Sequence, residues 1–249
     1  MSPLAISLIV FACVFGGALL GMFIRAALPD HHLSTDSKDI IKLGMGLIGT
    51  MAAVVLGLLI GTAKGSYDAR RGELTQMSTN IIVLDRVMAH YGPETKDARE
   101  LLRRSVVDML DRIWPEDSSR RAQLTPTGGG ERLYDIIVTL APQNETQRAL
   151  QAQALAMTIN LGQTRWLLAE QGRSIPMPFL LVLVLWLIII LASFGLFAPR
   201  NATVVAALLV CALSFSSAMY LILELDRPFD GLLRISSAPL RETLTNLGR

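Results

Sequence analysis

The sequence predicts an all-α, polytopic membrane protein with four transmembrane helices, two before and two after a helical cytoplasmic insert. Three observations carry that prediction. Leu4–Ile24, Leu43–Thr62, Phe179–Phe197 and Ala202–Leu223 contain no charged side chain. At a helical rise of about 1.5 Å per residue, each is long enough to cross a hydrocarbon core roughly 30 Å thick. The composition agrees: 51% of residues are hydrophobic, only 18% are charged, and the mean hydropathy is +0.45, above an ordinary soluble domain. Finally, the middle of the chain shows helical spacing and no long strand-like alternation. The resulting boundaries are 1–64 for spans one and two, 65–176 for the insert, 177–223 for spans three and four, and 224–249 for a cytoplasmic tail.

Span one begins after Met1-Ser2-Pro3, which has no Lys or Arg, and its apolar run exceeds a signal-peptide core. It therefore reads as a retained helix. Span two continues beyond the bilayer as one helix to about His90. Leu74, Met77, Ile81, Leu84 and Met88 recur at alternating steps of four and three, the seam of a packed helix. Gly92-Pro93 stops it. A second helix is expected over about Glu94–Trp114, with Leu102, Val106, Met109 and Ile113 on one face and Pro115 at its end. Ser118–Gly130 reads as a loop, and a short helix follows near Glu131–Leu140. A Gln- and Ala-rich helix over Asn144–Gln171 then leads through Pro176 and Pro178 into span three.

Charge sets the orientation. Lys64, Arg70 and Arg71 follow span two and Arg173 precedes span three, whereas the turn between spans three and four carries only Arg200. By the excess of basic residues on the inner side, the N-terminus, insert and tail are cytoplasmic. The chain is then a multi-pass protein of the cell inner membrane. The insert holds fourteen Lys/Arg and fourteen Asp/Glu in Gly65–Ile175, so its net charge is zero and nucleic-acid binding is not expected. Cys13 and Cys211 lie in different spans and form no metal pair. His31-His32 lacks a third ligand. No catalytic motif is present, and Gly128-Gly129-Gly130 is not followed by Lys-Ser/Thr, so it reads as a flexible turn rather than a phosphate loop. No enzyme activity or cofactor is expected. Without a mid-span Asp, Glu or His, a proton relay is disfavoured.

Span two is the most patterned stretch. Gly49, Ala53, Gly57, Gly61 and Gly65 fall every fourth residue, a spacing that lets helix backbones approach closely in lipid. Two readings stand: packing against span one, which carries Gly17 and Gly21, or service as the central helix of a homo-oligomer. Opposite the small stripe lie Met51, Val55 and Leu59, an apolar constriction if the helices ring a pore. Lys42, close to Lys38, sits at the outer end, where it either snorkels to the interface or forms a positive collar at an outer mouth. Glu224 and Asp226 end span four, either solvated, paired with Arg227, or facing an inner mouth. Pro228 then forces a turn, leaving Phe229 to insert at the interface or into a neighbour.

Leu84-Asp85-Arg86, Tyr91-Gly92-Pro93-Glu94 and Ala98-Arg99 resemble the signature of a bacterial membrane-protein family described as bestrophin-like. The segment Asp226-x-Pro228-Phe229-x-Gly231, with Ser236, Pro239 and Leu240, is similar to the Pro-Phe segment after the last membrane helix of bestrophins. The resemblance covers nearly the whole chain. It implies a homopentameric channel for small inorganic ions in the lipid bilayer, its pore lined by span two, with an extended tail that wraps neighbouring subunits. Only Asp226 and Asp230 remain of the acidic run that binds calcium in animal bestrophins. Two other functions fit the layout: a non-conducting scaffold or sensor that binds a partner through its cytoplasmic helices, and a stator-type proton channel subunit whose partner carries the membrane carboxylate.

Overall fold

The computed structural model describes residues 2–27, 35–115, 122, 128–170, 175–199 and 201–248. His31-His32, Arg173, Arg200 and most of the Ser118–Gly130 loop lie outside them. The described residues form helices without strands: α1 (Pro3–Ala27), α2 (Thr35–Tyr91), α3 (Lys96–Ile113), α4 (Gly129–Val138), α5 (Glu145–Glu170), α6 (Met177–Phe197), α7 (Ala202–Leu225) and α8 (Ala238–Asn246). A single 3₁₀ turn, Pro93–Thr95, precedes α3. Four of these helices are long and apolar enough to cross a membrane: α1, α2, α6 and α7. Two compact units result, Met1–Ser66 with Arg173–Asp226, and Tyr67–Gly172 with Arg227–Arg249.

In the first unit, α1 packs against α6 and α7. Lipid tails are as apolar as leucine, so attraction between spans comes from close packing and polar contacts rather than from expelling water. Both devices are present. Val14 and Ala18 on α1 are fully buried against Leu183, Leu187 and Leu191 of the α6 face. Gly21 lies where a Cβ would collide with the Ala192 carbonyl, and Gly195 where one would collide with the Ala18 carbonyl. A Cβ on Gly17 would sit 2.9 Å from Ile188 Cγ2. Only hydrogen fits at these crossings. The Ser216 hydroxyl of α7 donates to the Ser7 carbonyl of α1 at 2.6 Å, and the Arg25 guanidinium donates to the Ala198 carbonyl beyond α6. Asn201 caps α7 by accepting from Val204 N–H at 2.8 Å.

The second unit is built on the seam read from the sequence. Leu74, Met77, Ile81, Leu84 and Met88 are all buried, together with Leu102, Val106, Met109 and Ile113 of α3, Leu133 and Ile137 of α4, and Ala154, Leu161 and Leu168 of α5. Gly92 turns the chain from α2 to α3 at a φ of 138°, a conformation that side-chain-bearing residues rarely adopt. Thr95 locks the turn, its hydroxyl lying 2.6 Å from the Met88 carbonyl and 2.8 Å from that of Gly92.

The tail departs from the extended form that the resemblance implied. Residues 227–248 fold onto this second unit and end in helix α8, which packs on α3. Leu240, Thr243 and Leu247 turn inward, and the Thr243 hydroxyl reaches the Ser78 carbonyl at 3.4 Å. Their spacing of three and four along α8 gives that helix its buried stripe.

Candidate functional site

Span two shows which face remains for other molecules. Of its most apolar stretch only 11% is buried, against 33%, 33% and 22% for the other three spans. The buried face carries Ala52, Leu59 and Ala63, with Val55 and Leu56 partly covered. Gly49, Gly57, Gly61 and Gly65 have nothing within 4 Å of a built Cβ, and Ala53 is exposed. Packing of the small stripe against span one is therefore not what the protomer uses. Span one spends Gly17 and Gly21 on α6, and the stripe of α2 stays open.

The proposed constriction is corrected in consequence. Leu59 is 4% exposed and sits in the core of the first unit, so it cannot also line a pore. Val55 is half-covered beside it, and only Met51 of the three is open, at 46%. The exposed bulky stripe instead runs Leu47, Met51, Val54 and Leu58. It adjoins the small stripe rather than opposing it.

Lys42 is exposed, and its ammonium lies 3.2 Å from Asp39 Oδ1, a residue the charge reading passed over. A solvated pair of this kind contributes about 0–1 kcal/mol. Its consequence is electrostatic: one carboxylate offsets one ammonium of any collar. Glu224 and Asp226 are not solvated. Glu224 is 3% exposed and Asp226 9%, and both have polar or electrostatic partners. Pro228 follows the end of α7 as expected, and Gly231 takes a φ of 92° in the turn beyond it. Phe229 is the second correction. It does not project toward the interface or a neighbour, because it is buried edge-on against Trp114, with ring centroids 6.0 Å apart. Trp114 Nε1–H donates to the Ile235 carbonyl at 2.8 Å, and Ile235 N–H donates to the Pro228 carbonyl at 2.6 Å. The Pro-Phe segment thus clasps its own chain.

The signature residues perform a related task. Arg99 grips Asp85 with two bonds, Nε to Oδ1 at 2.7 Å and Nη2 to Oδ2 at 2.9 Å. The same Oδ2 accepts from Gly248 N–H at 3.3 Å. Asp85 therefore ties α2, α3 and the chain end together, and its carboxylate raises the pKa of Arg99 against the opposing effect of burial. Gln147 Nε2 donates to the Tyr91 carbonyl at 3.0 Å, which fixes α5 to the same turn. Among the described residues no three His, Cys, Asp or Glu side chains come together as a metal site.

The layout can be set beside known proteins. No curated protein and no solved structure matches the chain. A family model described as a bestrophin-like domain matches residues 12–240. That stretch contains α2, α6, α7 and the later part of α1, along with the Asp85–Arg99 clamp, the Pro228-Phe229 turn and the start of α8. The chain belongs to the bestrophin-like domain family.

Proposed function

We propose that the protein is a homo-oligomeric channel for small ions, with α2 nearest the axis. The observation that carries this reading is the open small-residue face of α2 in a chain of the bestrophin-like family. A helix buried on one side only, whose glycines meet nothing in their own chain, has room for the backbone of a second copy. Close packing is the attraction available there. The adjoining stripe of Leu47, Met51, Val54 and Leu58 is then the surface for an apolar constriction that conducts when wet and closes when dry. Conduction of this kind involves no covalent chemistry. The tail, folded on its own chain, stiffens the wall of the insert rather than lacing subunits together.

Gly57→Leu tests the assembly. The branched side chain meets nothing in the protomer, so thermal stability of the monomeric fold is expected to hold while the oligomer mass in mild detergent falls to that of smaller species. Unchanged mass would place the stripe against lipid. The proposed orientation is checked by labelling single cysteines in a variant with Cys13 and Cys211 replaced by serine. An impermeant thiol reagent added to intact cells is expected to label Asn201→Cys and to miss Asn144→Cys, both exposed positions. The reverse pattern would invert the protein in the membrane.

A further inference from the structure

The tail of the chain builds a cavity that ion conduction does not use. Ile235 is held from both sides: its N–H donates to the Pro228 carbonyl at 2.6 Å, and its carbonyl accepts from the Trp114 indole at 2.8 Å. Ile235 is thereby buried, and its neighbours Arg234 and Ser236 are left exposed. Between this stretch, Trp114 and the first turn of α8 lies a cavity of about 400 Å³, within the size range of small-molecule sites. All of it belongs to the second unit.

Its polar lining is made of donors and carries positive charge. Arg234 and Arg241 both line it, and no described residue of the lining has a carboxylate. Arg241 Nε donates to Ser237 Oγ at 3.0 Å, which sets that guanidinium at the cavity wall. Among the described residues neither guanidinium meets a carboxylate. Both serine hydroxyls of the lining act as acceptors within the protein: Ser236 Oγ takes the Ala238 N–H at 3.1 Å, and Ser237 Oγ takes Arg241. Each therefore keeps its own O–H to give. The end of α8 itself adds little, since the Ala238 N–H is occupied and Pro239 has none. Guanidinium and hydroxyl donors without a carboxylate call for an oxyanion, and the planar fork of arginine suits the oxygens of a phosphate.

We propose that this cavity binds a phosphoryl group, with Arg234 and Arg241 on its oxygens and the Ser236 and Ser237 hydroxyls completing its hydrogen bonds. Two guanidinium groups balance a phosphomonoester dianion, whereas a carboxylate would leave one charge over. Such a group has two sources, a free phosphate ester or the headgroup of an anionic lipid. Leu232 and Leu233, 81% and 39% exposed, precede Arg234 in the chain, and in the lipid case they rest among the acyl chains.

The test is calorimetric titration of the purified full chain in mild detergent at low salt with four probes. Glycerol 3-phosphate is the soluble ester and acetate its carboxylate control; dioctanoyl phosphatidic acid is the lipid and dioctanoylglycerol its phosphate-free control. At least one phosphate probe is expected to bind with a Kd below about 1 mM, and neither control should match it. Phosphatidic acid binding alone identifies a lipid headgroup, and glycerol 3-phosphate binding as tightly identifies the free ester. Arg234→Gln and Arg241→Gln, both at exposed positions, should each weaken the phosphate probe about tenfold or more, the scale of one charge-assisted contact. Arg132→Gln removes the same charge from an exposed position on α4 and should change nothing. No binding of either phosphate probe up to about 10 mM, a control that binds as tightly, or unchanged affinity in either of the two cavity variants would overturn the proposal.

Discussion

Gly21→Ala is expected to unfold the packing of α1 on α6, although it adds a single methyl group. A Cβ at this position falls on the backbone carbonyl of Ala192, and a backbone cannot rotate aside as a side chain does. The two helices must separate along their crossing, which also opens the reciprocal contact of Gly195 with Ala18 and thins the contacts around Val14 and Leu187. Overpacking of this kind costs about 1–3 kcal/mol where side chains can yield, and the upper end or more is expected where they cannot. The check is the unfolding midpoint in detergent, with Gly57→Ala as the companion. Gly57 meets nothing within 4 Å, so the same added methyl should leave the protomer's midpoint unchanged. Equal midpoints for Gly21→Ala and the parent chain would contradict the crossing described here.

Arg99→Ala should be the most damaging single change in the second unit. It leaves the Asp85 carboxylate, whose side chain is 2% exposed, without its two-bond partner. Removing one member of a buried pair costs about 3–5 kcal/mol, because the remaining charge stays desolvated. Arg99 itself is partly exposed, at 24% of its side chain, so Asp85→Asn should cost less: the guanidinium left behind can be hydrated. Arg99→Lys should recover only part of the loss, since an ammonium cannot reproduce the planar fork. Denaturant unfolding followed by the fluorescence of Trp114, in a background with Trp166 and Trp186 replaced by Phe, would read this order directly. Arg99→Ala within about 1 kcal/mol of the parent would reduce the clamp to a surface pair.

The parts of the fold legible in the sequence were those with a polar background. The seam from Leu74 to Met88 stands out because charged and amide residues occupy the other faces of α2, so its spacing identifies the buried side. In the membrane part of the same helix every face is apolar, and period carries no information about which side turns inward. Spacing therefore assigns Leu59 to a pore although it belongs to the core, and the open bulky stripe is Leu47, Met51, Val54 and Leu58. The α8 helix left a readable trace, Pro239 in its first turn and Leu240, Thr243, Leu244 and Leu247 at helical spacing. The expectation of an extended tail obscured it.

The remaining gaps are matters of sequence distance. Nothing near Phe229 announces Trp114, which lies far upstream, just past the end of α3. Asp85 and Arg99 were both recognised as signature residues, yet their pairing depends on the Gly92 turn that folds α3 back along α2. Side chains that act through long-range contacts are the ones a linear reading passes over.

The central claim, that copies of this chain assemble around α2 to pass small ions, is tested most directly in planar bilayers. Purified protein of determined oligomer mass should conduct in asymmetric salt with a defined reversal potential. Leu58→Asn, which makes the exposed apolar stripe easier to wet, should raise the open probability. Gly57→Leu, by separating the copies, should abolish the current. A stable oligomer that carries no current with either the parent chain or Leu58→Asn would contradict the account.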